Sequence, residues 1–183
     1  MRPPAYPAPC GVVTDPPFAS LTFDPGVHDA TRFNSGEPTL DDWLRKHASS
    51  AMRARVARTI VWIPADSNAV VAYYALSAHA VTRDSAPARI GRGVPDPVPA
   101  ALIAKLALDR SLHGQGLGRV LLADALERIV TASERGPAVR AIVVDALTDK
   151  GRDLYAACGF VEVPGTASRM IVRAEAAASA LGR

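Results

Sequence analysis

The sequence predicts an α+β protein in which a central mixed sheet, with mostly antiparallel strands, is flanked by helices. Apolar segments of strand length occur both before and after two central segments that have helical periodicity. A glycine-rich turn from His113 to Arg119 separates an apolar segment from the longer of these helical segments, as in a strand-to-helix connection. The chain has 183 residues, of which 49% are apolar, enough for one domain with a substantial core.

The two ends of the chain are expected to lie outside that domain. Residues 1–17 contain six prolines and no periodicity, so we expect a disordered leader. The folded domain is predicted for residues 18–175, and residues 176–183 form an alanine-rich tail with weak helical character. The start lacks the apolar stretch of a signal peptide, and no apolar run reaches membrane-spanning length, which favours a cytoplasmic protein without membrane contact.

The elements before residue 84 each have a local pattern. Two aspartates follow Pro38 and Thr39, in the first turn of a helix, where they stabilise the helix dipole. A run rich in isoleucine, valine and tryptophan is followed by a turn at residues 66–68 and a second apolar run, which predicts a hairpin. In chain order we predict a strand at Leu21–Phe23, a turn at Phe33–Glu37, a helix from Pro38 with Leu40, Trp43, Leu44 and Ala48 on one face, and strands at Ala57–Pro64 and Ala69–Ser77.

The second half of the chain begins with a predicted loop at residues 84–99, which are rich in proline, glycine and arginine. Further on, Asp149 is predicted to cap a short helix that Gly159 terminates. In chain order we predict a strand at Ala101–Leu108, a helix that ends at Gly136–Pro137, a strand at Val139–Leu147, a helix from Asp149 to Cys158, and a hairpin of Phe160–Val163 and Met170–Arg173.

The turn between residues 113 and 119 is the most informative local pattern. A glycine-rich turn that leaves a strand and begins a helix presents free backbone N–H groups and the positive end of the helix dipole. Such a turn can hold a pyrophosphate without any side chain. A tight strand-to-helix turn without a ligand is the alternative interpretation.

The spacing of the glycines excludes two common phosphate sites. Gly114, Gly116 and Gly118 alternate, so the third comes one residue too early for a dinucleotide-binding fingerprint. No Gly-Lys-Ser or Gly-Lys-Thr follows, which excludes the phosphate loop of nucleotide triphosphatases. The pattern resembles the acyl-CoA site of the GNAT superfamily of N-acetyltransferases, which reads Gln or Arg, x, x, Gly, x, Gly or Ala. His113 departs from that pattern at its first position.

The resemblance extends beyond this turn. The stretch Leu154-Tyr155-x-x-Cys158-Gly159-Phe160 is similar to the Phe-Tyr-x-x-x-Gly-Phe of the superfamily. Over roughly residues 20–173 the chain is similar to the GNAT toxins of bacterial toxin–antitoxin pairs. The segments that carry this likeness are Phe33-Asn34-Ser35-Gly36 with Leu40, Asp41, Trp43 and Leu44, then Val71–Ser77, and Pro99 with Leu102–Asp109.

That resemblance implies a fold, a reaction and a set of partners. It implies the GNAT fold, acetyl-CoA as the acetyl donor, and the α-amino group of aminoacyl-tRNA as the acceptor, so that the enzyme blocks translation. It also implies a ribbon-helix-helix antitoxin as a partner and a homodimer. No metal is implied.

The resemblance also assigns candidate residues for acetyl-CoA. We expect the amides of the turn to hold the pyrophosphate, and, by resemblance, the backbone of residues 106–108 to pair with the pantetheine arm. Packing in the core alone is the alternative for residues 106–108. We also expect Arg110 and Arg119 to reach CoA phosphates, and a solvated surface arginine is the alternative for each, more so for Arg110. The candidates are Leu106, Ala107, Leu108, His113, Gly114, Gln115, Gly116, Leu117, Gly118 and Arg119.

Tyr155 is the candidate catalytic residue. The sulfur of CoA leaves with developing negative charge, and a phenol with a pKa near 10 stays protonated at neutral pH and can donate to it. Such general acid catalysis contributes about 10²–10⁴-fold in rate. A core tyrosine that packs the helix against the sheet is the alternative.

A general base is not evident, and an α-amine does not require one. Its pKa of about 7.7–8.0 leaves an appreciable neutral fraction at physiological pH, whereas a lysine side chain is deprotonated about 300-fold less often. For Asp109 and Asp145, we expect turn or capping roles. The histidines His28, His47 and His79 are scattered without metal-ligand spacing.

Basic residues provide the candidates for RNA binding. The chain has a formal net charge of +3, and two groups of arginines and lysines could follow a phosphate backbone. A solvated helix face is the alternative, because no stacking aromatics accompany them. The tentative RNA-binding residues are Arg45, Lys46, Arg53, Arg55, Arg58, Arg89 and Arg92.

Three functions remain open from the sequence. The first is a toxin that acetylates aminoacyl-tRNA, and the second is a GNAT enzyme that acetylates a small amine or a protein N-terminus. The third is a module that senses acyl-CoA without turnover, against which Tyr155 argues.

Overall fold

The computed structural model describes residues 18–183. The leader predicted for residues 1–17 lies outside the described residues. The strands are β1 (Phe18–Thr22), β2 (Arg58–Pro64), β3 (Ala72–Val81), β4 (Val98–Leu108), β5 (Ala141–Asp145), β6 (Val161–Glu162) and β7 (Arg169–Arg173). The helices are α1 (Pro38–Asp42), α2 (Ala48–Arg53), α3 (Ala88–Gly91), α4 (Leu117–Arg135), α5 (Asp149–Ala157) and α6 (Ala174–Ala180).

The seven strands follow the order β1-β2-β3-β4-β5-β7-β6 in one sheet. The pairs β1–β2, β2–β3, β5–β7 and β6–β7 are antiparallel. β4 and β5 are neighbours joined through α4, the helical crossover that parallel neighbours require. The α+β class with a mixed, mostly antiparallel sheet is confirmed. Within residues 18–183, no helix is both long and apolar enough to cross a bilayer.

The described residues group into two compact units. The first contains residues 18–78 and Ile103–Ala125. Its core confirms the predicted helix face, because Leu40, Leu44 and Ala48 are buried there and Trp43 packs against them. The other members of that core are Phe23, Ala30, Phe33, Val61, Val70, Tyr73 and Ala107.

The second unit contains His79–Leu102 and Leu126–Arg183. Its core is built mainly from alternate residues of the strands, since Ala141 and Val143 of β5 lie together with Ile171 of β7. The remaining members of this core are Val81, Ile90, Val98, Ala100 and Val163.

The loop predicted for residues 84–99 is partly wrong. β3 continues to Val81, and after it Arg83–Ser85 form a 3₁₀ turn. α3 follows, anchored by Ile90, which is fully buried, and β4 already begins at Val98. Prolines and glycines obscured these elements, because short helical turns have no periodicity that a sequence pattern can detect.

The helix predicted from Pro38 is real but not uniform. α1 and α2 are joined by a π-helical turn at Trp43–His47. Asp41 does more than stabilise the helix dipole, because its carboxylate accepts hydrogen bonds from the N–H and the hydroxyl of Ser35, at 2.9 and 2.6 Å. The carboxylate therefore also fixes the chain that enters the helix.

Thr59 in β2 generates a stability prediction. Its side chain is fully buried, and its hydroxyl has no hydrogen-bond partner among the described residues. A buried hydroxyl without a partner costs about 1–3 kcal/mol. We therefore expect Thr59→Val, which keeps the shape of the side chain, to raise the free energy of unfolding in urea by about 1 kcal/mol. Thr59→Ser is the control: it keeps the hydroxyl, loses the methyl group and should be less stable. A Thr59→Val protein less stable than wild type would contradict this account.

Candidate active site

Asp109 organises the turn that follows β4. Its N–H donates to the carbonyl of Val71 at 2.8 Å, which fixes the end of the strand. One carboxylate oxygen accepts from the N–H of Asn34 at 2.9 Å, and the other accepts from the N–H and the hydroxyl of Ser111 at 3.0 and 2.7 Å. Partial burial opposes ionisation of this carboxyl, but the hydrogen bonds from Ser111 and Asn34 outweigh it and hold the pKa of Asp109 below its usual range.

The turn itself leaves a row of backbone donors without partners. Among the described residues, nothing accepts a hydrogen bond from the N–H groups of Gly114, Gln115, Gly116, Leu117 or Gly118. Gly114 and Gly116 have φ of +76° and +75°, on either side of Gln115, and α4 begins at Leu117. Glycines at positive φ turn successive N–H groups towards a common point, and such a concavity next to a helix N-terminus binds anions.

The side chains of the turn mostly bind the turn itself. A ring nitrogen of His113, Nε2, lies 2.9 Å from the carbonyl of Leu108, and the side-chain amide of Gln115 donates to the carbonyl of Ser111 at 3.1 Å. Both residues are exposed, as is Arg119, whose N–H donates to Gly116 at 3.2 Å. His113 therefore closes the turn back onto the end of β4, a role that its departure from the family pattern did not predict.

Tyr155 is positioned by the way in which α5 ends. The N–H of Phe160 donates to the carbonyl of Tyr155 at 3.1 Å, and the N–H of Gly159, which has a φ of +86°, donates to Ala156 at 3.0 Å. These two bonds form a Schellman motif, in which the residue after the glycine contacts the last turn of the helix. The rings of Phe160 and Tyr155 make that contact, with centroids 5.8 Å apart. The motif thus fixes both the backbone and the ring of Tyr155.

The phenol of Tyr155 is buried, protonated and unengaged. The residue is 7% exposed, and burial, helped by the negative charge of Asp145, raises its pKa to about 12. No described residue forms a hydrogen bond with its hydroxyl, and the hydroxyl is not among the buried side-chain atoms that lack partners. It therefore reaches the surface as an available proton donor.

Asp145, whose charge acts on this phenol, forms an ion pair with Arg169. The guanidinium of Arg169 donates two hydrogen bonds to the carboxylate of Asp145, both at 2.8 Å, and the two residues are partners in the β5–β7 register. The hydrogen bonds that Arg169 donates to Asp145 raise the pKa of Arg169. Asp109 thus has the turn role expected for it. The turn or capping role expected for Asp145 is wrong, because this residue lies in β5 and pairs with Arg169.

The cap of α5 and the environment of His79 complete the description of this region. Thr148, not Asp149, caps α5, because its hydroxyl accepts from the N–H of Gly151 at 3.1 Å and Asp149 is the first helical residue. His79 is half-buried, and burial, reinforced by the charge of Arg169 and opposed by that of Asp145, lowers its pKa. The part of the chain that is described holds no cluster of three or more His, Cys, Asp or Glu side chains suited to a metal ion.

The candidate RNA-binding residues belong to both units. Arg89 and Arg92 are exposed in the second unit, while the other five belong to the first. Arg45 and Lys46 both pair with Asp42, and Arg45 also donates to the carbonyl of Phe33 at 2.8 Å. The remaining three, Arg53, Arg55 and Arg58, are exposed.

Sequence reasoning expected a turn role for Asp109 but missed its bonds to Ser111 and Asn34, which shape the turn after β4. An aspartate two residues before a serine, directly after a strand, is the signal of an Asx turn and was available in the sequence. The bond to Asn34 joins residues 75 positions apart and has no local signal.

Comparison with known proteins gives a consistent picture. Residues 29–160 match the model of the acetyltransferase (GNAT) family. The tRNA-acetylating toxin of Mycobacterium tuberculosis is 44% identical over 127 residues, which cover 69% of this chain and 75% of that protein.

Two solved structures share the fold. AtaT complexed with acetyl-methionyl-tRNAfMet has a TM-score of 0.78 and 25% identity, covering 86% of this chain and 95% of that one. A mutant AtaT toxin bound to the C-terminus of the antitoxin AtaR and acetyl-CoA has a TM-score of 0.78 and 22% identity, covering 92% of this chain and all of that one.

The hydrogen bonds of Asp109 predict a pH-dependent loss of stability in the Asp109→Ala variant. At pH 7 we expect the free energy of unfolding in urea to fall by about 1–2 kcal/mol, because Asn34 and Ser111 lose a charged acceptor. Since the pKa of Asp109 is lowered in the folded state, its contribution is present above the ordinary aspartate pKa and is lost as the pH falls below it. The difference between the two proteins should therefore shrink at pH 3. An equal difference at both pH values would contradict this assignment.

Proposed function

Because the chain belongs to the acetyltransferase (GNAT) family, we propose that it is an acetyl-CoA-dependent N-acetyltransferase toxin whose acceptor is the α-amino group of aminoacyl-tRNA. The observation that carries the proposal is the row of unpartnered amides from Gly114 to Gly118, in a chain 44% identical to a tRNA-acetylating toxin. Acetylation of that amine removes the nucleophile of peptide bond formation, so translation stops.

The turn between β4 and α4 has the chemistry needed to hold acetyl-CoA. Its amides are donors without partners, so they would bind pyrophosphate oxygens without breaking bonds of the protein. A Cβ atom added at Gly114 or Gly116 would have nothing within 4 Å, so the approach to the backbone there is open. Arg119 is exposed beside these amides and adds positive charge. In this proposal the backbone of Leu106–Leu108 pairs with the pantetheine arm.

Tyr155 is the proposed general acid. The amine nitrogen forms a bond to the thioester carbonyl carbon, the carbon–sulfur bond breaks, and the proton lost by nitrogen ends on sulfur. A phenol whose pKa is about 12 stays protonated at neutral pH, so Tyr155 can donate a hydrogen bond to the sulfur as negative charge develops. Because it is a weaker acid than a thiol, whose ordinary pKa is about 8.5, it passes its proton to the sulfur only as the proton released by the amine returns to the phenol.

The α-amine fits a site without a dedicated base. An ordinary α-amino pKa of about 7.7–8.0 provides neutral amine at physiological pH. Two carboxylates near the strand ends are already engaged, Asp145 by Arg169 and Asp109 by Ser111 and Asn34. An acceptor that needs no strong base is therefore favoured over a lysine side chain.

We propose that the toxin acts in the cytoplasm as a homodimer and that a ribbon-helix-helix antitoxin neutralises it. The structure of AtaT with the C-terminus of AtaR supports a protein antitoxin for this fold. The seven candidate basic residues would contact the RNA backbone: Arg45, Lys46, Arg53, Arg55, Arg58, Arg89 and Arg92. Expression of the chain alone should arrest growth, and co-expression of the neighbouring antitoxin gene should restore it.

Tyr155→Phe tests the proposed acid. The variant should keep its fold and its affinity for acetyl-CoA in calorimetry, while kcat falls about 10²–10⁴-fold. Tyr73→Phe is the matched control, since it removes a phenol that donates to the carbonyl of Leu40 at 2.7 Å in the first unit. That control should lose about 1 kcal/mol of stability and retain kcat. Unchanged turnover in Tyr155→Phe would end the assignment.

The acceptor is tested by incubating the protein with labelled acetyl-CoA and total charged tRNA. We expect label in the RNA fraction, removed by mild alkali that hydrolyses the aminoacyl ester and absent when the tRNA is deacylated beforehand. Label found only on small amines or protein N-termini would contradict the toxin proposal and would instead identify a GNAT enzyme that acetylates those amines. Binding of acetyl-CoA with no turnover on any amine would identify a sensing module.

A further inference from the structure

Positive charge is concentrated between Asp42 and Asp66. This part of the chain contains five arginine and lysine residues and no acidic residue. Arg45 and Lys46, at its beginning, both form ion pairs with Asp42. Arg53, Arg55 and Arg58 remain, within six residues of one another, and none of their guanidinium groups has a hydrogen bond or ion pair with the described residues. The end of α2 and the start of β2 therefore present three uncompensated guanidinium groups.

The backbone of this segment is unusual at Arg55. It is the one non-glycine among residues 18–183 with a positive φ, at +57°. The N–H of Arg55 donates to Met52 at 3.1 Å, and the N–H of Val56 donates to Ala51 at 3.0 Å, which is the bond pattern of a Schellman motif. Arg55 therefore stands where glycine is preferred, because a Cβ atom is unfavourable in the left-handed region.

No contact within the described residues explains why an arginine stands there. Its side chain is exposed and does not cover the core, and Val56 beside it is 63% exposed. A non-glycine residue held in a strained conformation, without a structural reason, points to a functional constraint. A guanidinium fixed on a rigid turn is suited to phosphate oxygens, which it can bind through two parallel hydrogen bonds.

We propose that the segment from Arg53 to Arg58 is a phosphate-binding turn that holds the backbone of the RNA substrate. Arg55 is retained at a glycine position because its guanidinium contacts that backbone. The inference rests on the proposed function, since it requires an RNA acceptor. Among the seven candidate basic residues it gives these three the main role, because Arg45 and Lys46 share the carboxylate of Asp42. Contacts of this kind bind any sequence and weaken with added salt.

The test uses full-length Arg53→Gln, Arg55→Gly and Arg58→Gln proteins. The matched control is Arg135→Gln, which removes the same charge from an exposed arginine at the end of α4. Two acceptors are compared, aminoacyl-tRNA and an aminoacyl ester of adenosine, which has the same amine but no phosphate. Values of kcat and KM are measured with both acceptors. The measurements with aminoacyl-tRNA are repeated at several salt concentrations between 50 and 300 mM.

Each of the three variants should raise the KM for aminoacyl-tRNA about fivefold near physiological salt and leave kcat unchanged. The slope of log KM against log salt should fall by about 0.7–0.9 for each contact removed. Turnover of the aminoacyl adenosine ester should equal that of the control variant. Arg55→Gly should in addition melt about 2 °C higher than wild type, because the backbone strain is relieved. Greater stability together with weaker RNA binding is a combination that a purely structural role would not produce.

The outcomes separate the two proposals. If the wild type acetylates charged tRNA and the three variants keep its KM and salt slope, the assignment of residues 53–58 as a phosphate-binding turn is wrong and the proposed function stands. If the variants keep their KM for tRNA but escape inhibition by the antitoxin, the turn binds a protein and the inference is again overturned. If the wild type does not acetylate charged tRNA, the proposed function fails first. An Arg55→Gly protein that melts lower than wild type would refute the argument from strain.

Discussion

The carboxylate of Asp109 is the constraint on which the turn between β4 and α4, the proposed acetyl-CoA site, depends. A site that binds an anion through backbone amides needs those amides to be unpartnered and fixed in direction before the ligand arrives. Asp109 holds the backbone of the turn in place. Its carboxylate accepts hydrogen bonds from Asn34 and Ser111, and its own N–H donates to the carbonyl of Val71 at the end of β4. The glycines then provide the backbone conformation that directs the remaining amides outward.

Environment, not chemical type, distinguishes Tyr155 from Tyr73. Both rings are buried and both pKa values are raised by burial. The hydroxyl of Tyr73 is committed to the carbonyl of Leu40, and its ring lies against Phe33 and Trp43, so it serves packing in the first unit. Tyr155 is held equally firmly by its helix end and by Phe160, yet its hydroxyl has no partner there. Rigid placement with a free donor is what an acid catalyst requires.

The sequence predicted most of the elements because most of them have a period. The amphipathic face of α1 and α2, the hairpin of β2 and β3, and the turn before α4 all follow from residue spacing that the structure confirms. The failures have physical causes of a different kind. The extension of β3 to Val81 and the turn of α3 depend on tertiary burial, and Thr148 replaced Asp149 as the cap because both residues can fill that role. The bond between Asp109 and Asn34 joins distant segments, so no window of sequence contained it. The assignments at Tyr155 and the acetyl-CoA turn came from the family resemblance and stay predictions.

Several of the residues to which function is assigned disagree with local folding rules. The amides from Gly114 to Gly118 lack acceptors, the hydroxyl of Tyr155 lacks a partner, and Arg55 occupies a conformation that suits glycine. Thr59 breaks a rule as well, but its hydroxyl is fully buried, so no ligand can reach it and it has no bearing on the site. Accessibility therefore distinguishes the two kinds of unpartnered polar group. One inside the core only lowers stability, whereas one at the surface can form its missing hydrogen bond with a substrate. The groups at the surface are a row of amides, a proton donor and an unpaired guanidinium, and a polyphosphate thioester and an RNA backbone are the molecules that complete them.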